Sequence, residues 1–90
     1  MNLTISVFGR DIILKQETIL ELASPTLIGV TRALLEQNRA EWDRIVQDDF
    51  TPSEGYEVLV NGRNIKSLEG LDTRIHEGDE ILFTVPLVGG

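Results

Sequence analysis

The residue types able to do chemistry in this chain are few, and the pair with the most chemical meaning has no side chain at all. Gly89-Gly90 follow an apolar segment, Ile81 to Val85, and a short stretch Pro86-Leu87-Val88. Glycine permits unusual backbone angles and very close approach to another surface. A folded body that stops this way is expected to present the Gly90 carboxylate to a narrow active site on another protein. The other reactive side chains form no constellation. His76 is the sole histidine and sits in an expected turn beside Glu77 and Asp79, so it reads as a solvated loop residue. Asp48, Asp49 and Glu54 lack the spacing of a cation loop and read as a solvated acidic loop, which leaves no metal site. Ser67 and Asp72-Thr73 have no partner histidine for nucleophilic catalysis, and Thr73 is expected to brace a turn.

The absence of cysteine excludes a disulfide scaffold, a thiolate zinc site and a cysteine nucleophile together. Formal net charge is −7 and the pI about 4.5. Such a surface repels phosphate backbones, and no Lys/Arg cluster offsets it, so nucleic acid is not an expected partner. No apolar run approaches the roughly 20 residues needed to cross a bilayer, and Met1-Asn2-Leu3-Thr4 is not an export signal. The expected location is the cytoplasm, with no membrane partner. Ninety residues, 41% of them hydrophobic, are expected to make a single domain over 1–90 with a flexible tail at 86–90.

The elements that would position the tail follow from periodicity. Leu3 to Val7 alternates and predicts a strand with Leu3, Ile5 and Val7 inward. Phe8 to Asp11 is an expected bend. Ile12 to Leu22 is mostly extended, with Leu20 and Leu22 alternating against Ile19 and Glu21 and a polar break at Lys15-Gln16-Glu17 that is either a bulge or a loop. Ser24-Pro25-Thr26 announces a helix, with Ser24 or Thr26 as cap. Leu27, Val30, Leu34 and Leu35 share its inner face, and Gly29 is expected to permit close packing on the sheet. Past Asn38 a further helical turn or two should place Trp42, Ile45 and Val46 on one side. Tyr56 to Val60 predicts a third strand, ended by the tight-turn pair Asn61-Gly62, with a short return at Asn64-Ile65. Glu77-Gly78-Asp79 turns the chain into the last strand. One amphipathic helix over one face of a mixed four- to five-stranded sheet is a two-layer α+β arrangement.

Those segments also carry a family resemblance. Val60-Asn61-Gly62-Arg63, Leu68-Glu69-Gly70-Leu71-Asp72-Thr73, Glu77-Gly78-Asp79-Glu80-Ile81 and Pro86-Leu87-Val88-Gly89-Gly90, in this order, resemble the sulfur-carrier family that includes the small subunit of molybdopterin synthase and the thiamine-pathway carrier. Phe8-Gly9 and the helix from Thr26 fit as well, so the likeness spans nearly the whole chain. It departs at Val85, where the family often has a second proline, and in a short first hairpin loop. The resemblance implies the ubiquitin-like β-grasp fold, with first and last strands paired in the middle of the sheet. It implies a carrier protein that is not itself an enzyme and binds no cofactor of its own. A ubiquitin-activating-type adenylating enzyme would use ATP to activate the Gly90 carboxylate, with Gly89, Val88, Leu87 and Pro86 recognised as the tail. Sulfur would then replace AMP, and the resulting thiocarboxylate would serve an acceptor synthase of molybdopterin or cysteine biosynthesis. The same implied features fit a ubiquitin-like modifier joined to lysines.

Strand alternation adds a surface expectation. With Val7, Val58, Ile81 and Phe83 inward, the residues Phe8, Leu59 and Leu82 point to the open face, and the β-grasp order brings them together as an apolar docking patch.

Overall fold

The computed structural model describes residues 1–86. Strand β1 (Asn2–Phe8) pairs antiparallel with β2 (Ile13–Ile19). Helices α1 (Leu27–Gln37) and α2 (Arg39–Trp42) follow, then β3 (Glu57–Val60), the short β4 (Arg63–Asn64) and β5 (Glu80–Thr84). Two single 3₁₀ turns, Ile65–Ser67 and Gly70–Asp72, lie between β4 and β5. The sheet has five strands in the order β2-β1-β5-β3-β4. β5 runs parallel to β1 and antiparallel to β3, so the last strand occupies the middle. This is the ubiquitin-like β-grasp expected from the sequence.

The core forms where the alternation places it. Leu3, Ile5 and Val7 of β1, Val58 and Val60 of β3, and Ile81 and Phe83 of β5 are buried against Leu27, Val30, Leu34 and Leu35 of α1. Trp42, Ile45 and Val46 close one end, and the Trp42 ring meets Phe83 edge-on at 5.5 Å between centroids. Aromatic pairs prefer this geometry because the positive ring edge faces the negative π cloud.

Three local expectations are corrected. Lys15-Gln16-Glu17 is neither bulge nor loop, because β2 pairs with β1 without interruption from Ile13 to Ile19. Its polar residues lie on the edge strand, with Lys15 and Glu17 exposed and Gln16 half-buried. No side chain caps α1: Ser24 Oγ and Thr26 Oγ1 bond each other at 3.0 Å. The helix start is held instead by the segment after the second 3₁₀ turn, with Leu27 N–H donating to the Thr73 carbonyl and Ile75 N–H to that of Pro25, each at 2.9 Å. Gly29 is buried, yet its close neighbour is not the sheet. A Cβ there would fall on the carbonyl oxygen of Ser24, inside van der Waals contact.

The expected turns are present. Asn61 and Gly62 both have positive φ (51° and 84°), as a two-residue hairpin loop of this twist requires. Thr73 braces its turn as expected, its hydroxyl donating to the Gly70 carbonyl at 2.6 Å and accepting from Glu69 N–H at 3.1 Å.

Candidate functional site

The site is built around β5 and the chain that leaves it. At its start, Asp79 is almost covered and accepts hydrogen bonds from the Asn61 side-chain amide (2.9 Å) and His76 N–H (2.8 Å). Asn61 Oδ1 in turn accepts from Glu80 N–H at 2.9 Å. This exchange ties the β3–β4 hairpin turn to the head of β5 and fixes the strand's register against β3. At its far end, Val85 N–H still donates to the Phe8 carbonyl at 3.1 Å, so pairing outlasts the strand by one residue. Pro86 is then exposed. The expected tail residues Leu87, Val88, Gly89 and Gly90 lie outside the described residues.

The three residues expected on the open face are all there. Leu59 pairs directly with Leu82, and Leu82 with Ser6. Phe8 pairs with Thr84, one diagonal step from Leu82, within reach of a long or aromatic side chain. Phe8 is 51% exposed, while Leu59 and Leu82 are half-buried. A shallow depression of about 250 Å³ beside them is lined by Ser6, Lys15, Leu59, Gly62, Glu80 and Leu82. The chain therefore leaves β5 at the Phe8 margin of an apolar patch.

Sequence reasoning missed Ile13, which pairs with Phe8 and is 77% exposed. The signal was present in the alternation Ile13, Lys15, Glu17, Ile19. It was obscured by assigning strand phase from Leu20 and Leu22, which lie beyond β2.

The remaining candidates stay apart from this patch. The His76 ring is largely exposed, 3.8 Å from Asp79. Asp48 pairs with Arg39 at 2.7 Å. The Asp49 carboxyl is held below the ordinary carboxylate range by the Thr51 hydroxyl (2.6 Å) and the Thr51 N–H (3.1 Å). Among the described residues no group of three His, Cys, Asp or Glu is placed to hold a metal. No helix among them is long and apolar enough to cross a membrane. A cleft of about 430 Å³ lies at the opposite end of β5, lined by residues that include Arg63, Arg74 and His76.

Comparison with known proteins accords with this geometry. A protein of Archaeoglobus fulgidus named "Putative sulfur carrier protein" is 36% identical over 59 residues, covering 64% of this chain and 67% of that one. SAMP1 of Haloferax volcanii, a small archaeal modifier protein, matches in fold with a TM-score of 0.71 at 21% identity, each chain covered completely. The BexX/CysO complex of Amycolatopsis orientalis gives a TM-score of 0.66 at 16% identity, covering 98% of this chain and 99% of that one. The profile of the ThiS family matches residues 5–90, from the second inward residue of β1 through Gly90. With the β-grasp order, the apolar open face and that match in hand, the chain is a member of the ThiS family, the small ubiquitin-like sulfur-carrier proteins.

Proposed function

We propose that this carrier bears sulfur as a thiocarboxylate on Gly90. A carboxylate is a poor electrophile until one oxygen becomes a good leaving group. In this reading a ubiquitin-activating-type enzyme supplies ATP, the Gly90 carboxylate displaces pyrophosphate to give an acyl-adenylate, and a sulfide sulfur then displaces AMP. Gly89 has no side chain to obstruct entry to the nucleotide pocket, and Pro86, Leu87 and Val88 are read as the approach. The patch of Phe8, Leu59 and Leu82 docks the adenylating enzyme or the acceptor synthase. The acceptor pathway is molybdopterin-like or cysteine biosynthesis, in the cytoplasm. The domain itself binds no cofactor.

The observation that carries this reading is the placement of β5. The strand before the tail is clamped on both sides, and the chain leaves it beside an exposed apolar patch. A rigid base next to a docking surface is what a tail delivered into another protein's pocket needs. The test is intact mass after incubation with a cognate adenylating enzyme, ATP and sulfide. One oxygen should be exchanged for sulfur at the terminus, and Gly89→Leu should block the exchange. An unchanged mass with an enzyme competent on its own carrier refutes the proposal.

The fold likeness to a small archaeal modifier protein raises a second reading, in which the same activated terminus acylates lysine amines. Ladders of tagged protein in cells favour that reading, and their absence favours the carrier.

A further inference from the structure

β2 is an edge strand: the order β2-β1-β5-β3-β4 leaves no strand beyond it among the described residues. An uncovered edge presents a row of N–H and C=O groups ready to pair with another strand. Which groups face outward follows from the β1–β2 ladder. Leu20 and Met1 exchange both bonds, at 2.9 and 2.8 Å, and Gly9 N–H donates to the Ile12 carbonyl at 2.8 Å. Hydrogen-bonded and non-hydrogen-bonded pairs alternate in an antiparallel ladder. The main-chain groups of Leu14, Gln16 and Thr18 are therefore turned toward β1, and those of Ile13, Lys15, Glu17 and Ile19 toward solvent.

The four outward-bonding residues are also the exposed ones, with Ile13 at 77% and Ile19 at 71%. Neither Lys15 nor Glu17 has an ion-pair partner among the described residues. Their neighbours on β1 are the neutral Ser6 and Thr4.

The sequence Ile13-Leu14-Lys15-Gln16-Glu17-Thr18-Ile19 reads as its own complement about Gln16. We propose that two copies of this chain associate through β2, antiparallel about a two-fold axis at Gln16, joining their sheets into one. In that register Lys15 lies opposite Glu17 of the second copy, and Ile13 opposite its Ile19. Each of these pairs consists of residues whose main-chain groups already face outward, so each can exchange both N–H···O bonds. Gln16 meets Gln16 as the non-hydrogen-bonded pair on the axis. The charges reject the neighbouring registers. Sliding the partner by two residues one way sets Lys15 against Lys15, and sliding it the other way sets Glu17 against Glu17. A single isologous arrangement is selected.

The dimer leaves Leu59 and Leu82 uncovered, since they lie on β3 and β5, away from the edge. It sets Ile19 of one copy next to Ile13 of the other, extending the apolar row that begins at Phe8. The two Pro86 positions face opposite ends of the joined sheet.

A pairing limited to one strand buries little surface and is weak. Sedimentation over a concentration series therefore measures it directly. The wild-type chain should show a monomer–dimer equilibrium. Glu17→Lys places like charges opposite each other twice and should weaken dimerisation roughly tenfold or more. The double variant Lys15→Glu/Glu17→Lys restores both opposite-charge pairs and should return the constant to within about threefold of wild type. Both changes are at exposed positions, and circular dichroism checks that each variant is folded. Amide exchange at Ile13, Lys15, Glu17 and Ile19 should slow as protein concentration rises. A chain that stays monomeric across the series overturns the proposal. So does a dimer indifferent to Glu17→Lys, or a folded double variant that fails to recover.

Discussion

Replacing Gly29 with alanine sets two known effects against each other, and the structure decides the sign. Alanine is the better helix former by about 1 kcal/mol, and Gly29 lies within α1, so propensity alone predicts a stabler protein. Against this stands the Ser24 carbonyl, which occupies the space that the new methyl would need. The obstacle is main chain, not the end of a mobile side chain. Its segment is pinned, since Pro25 accepts from Ile75 N–H, Thr26 forms a bridge with Arg74, and Leu27 N–H donates to Thr73. Moving Ser24 means loosening those bonds, whose worth is about 1 kcal/mol each, on top of the roughly 1–3 kcal/mol typical of overpacking. We expect Gly29→Ala to lose about 2 kcal/mol net. With a urea m-value of about 1 kcal/mol/M for a chain this small, the midpoint should fall by roughly 2 M. Ala33→Gly, on a half-buried position of the same helix, is the control and should lose about 1 kcal/mol from propensity alone. If Gly29→Ala raised the midpoint, the close approach to Ser24 would have no energetic consequence and the reasoning would fail.

Phe83→Ala removes a fully buried ring that meets Trp42 edge-on, and should cost about 3–5 kcal/mol in chemical denaturation, a large share of the about 5–13 kcal/mol expected for a chain of this size. Leu59→Asp with Leu82→Ser should leave the melting temperature close to wild type while weakening capture by the adenylating enzyme at least tenfold. Unchanged affinity in the folded double variant removes the patch from the proposal. The depressed Asp49 carboxyl should titrate below the ordinary carboxylate range in an NMR pH series, and Thr51→Val should raise it toward that range. Because its folded-state value is lowered, whatever stability it adds is present above the unfolded-state value and lost as pH falls through the folded one. Thr31→Val leaves the Phe50 carbonyl, now bonded at 2.6 Å, without its donor and should cost about 1–3 kcal/mol.

Much of the fold was legible because most strands obey a simple period. Leu3, Ile5 and Val7 alternate cleanly, and Asn61-Gly62 prescribes its own turn. The open-face positions of Phe8, Leu59 and Leu82 followed from alternation plus the β-grasp order. β2 was harder for a physical reason. An edge strand is polar on much of its surface, so Lys15-Gln16-Glu17 resembles a loop when only hydrophobicity is read. Ile13 was lost with it. The start of α1 was misread because Leu27 N–H finds its acceptor in the Thr73 carbonyl, far along the sequence, and no local rule reports such a partner. The same holds for Gly29, whose neighbour is a carbonyl that any residue at position 24 would supply.

The central position of β5 sets the order in which this molecule can be finished. Until Glu80–Thr84 arrives, β1 has no inner neighbour and the β3–β4 hairpin has nothing to join it to β1. Most of the body must wait for a strand about seventy residues beyond β1, since contacts so distant along the chain are slow to form. Completion of the sheet and placement of Pro86 at its end are one event. A half-built copy has no fixed point of exit from the sheet, because the strand that ends beside Pro86 is the keystone still missing.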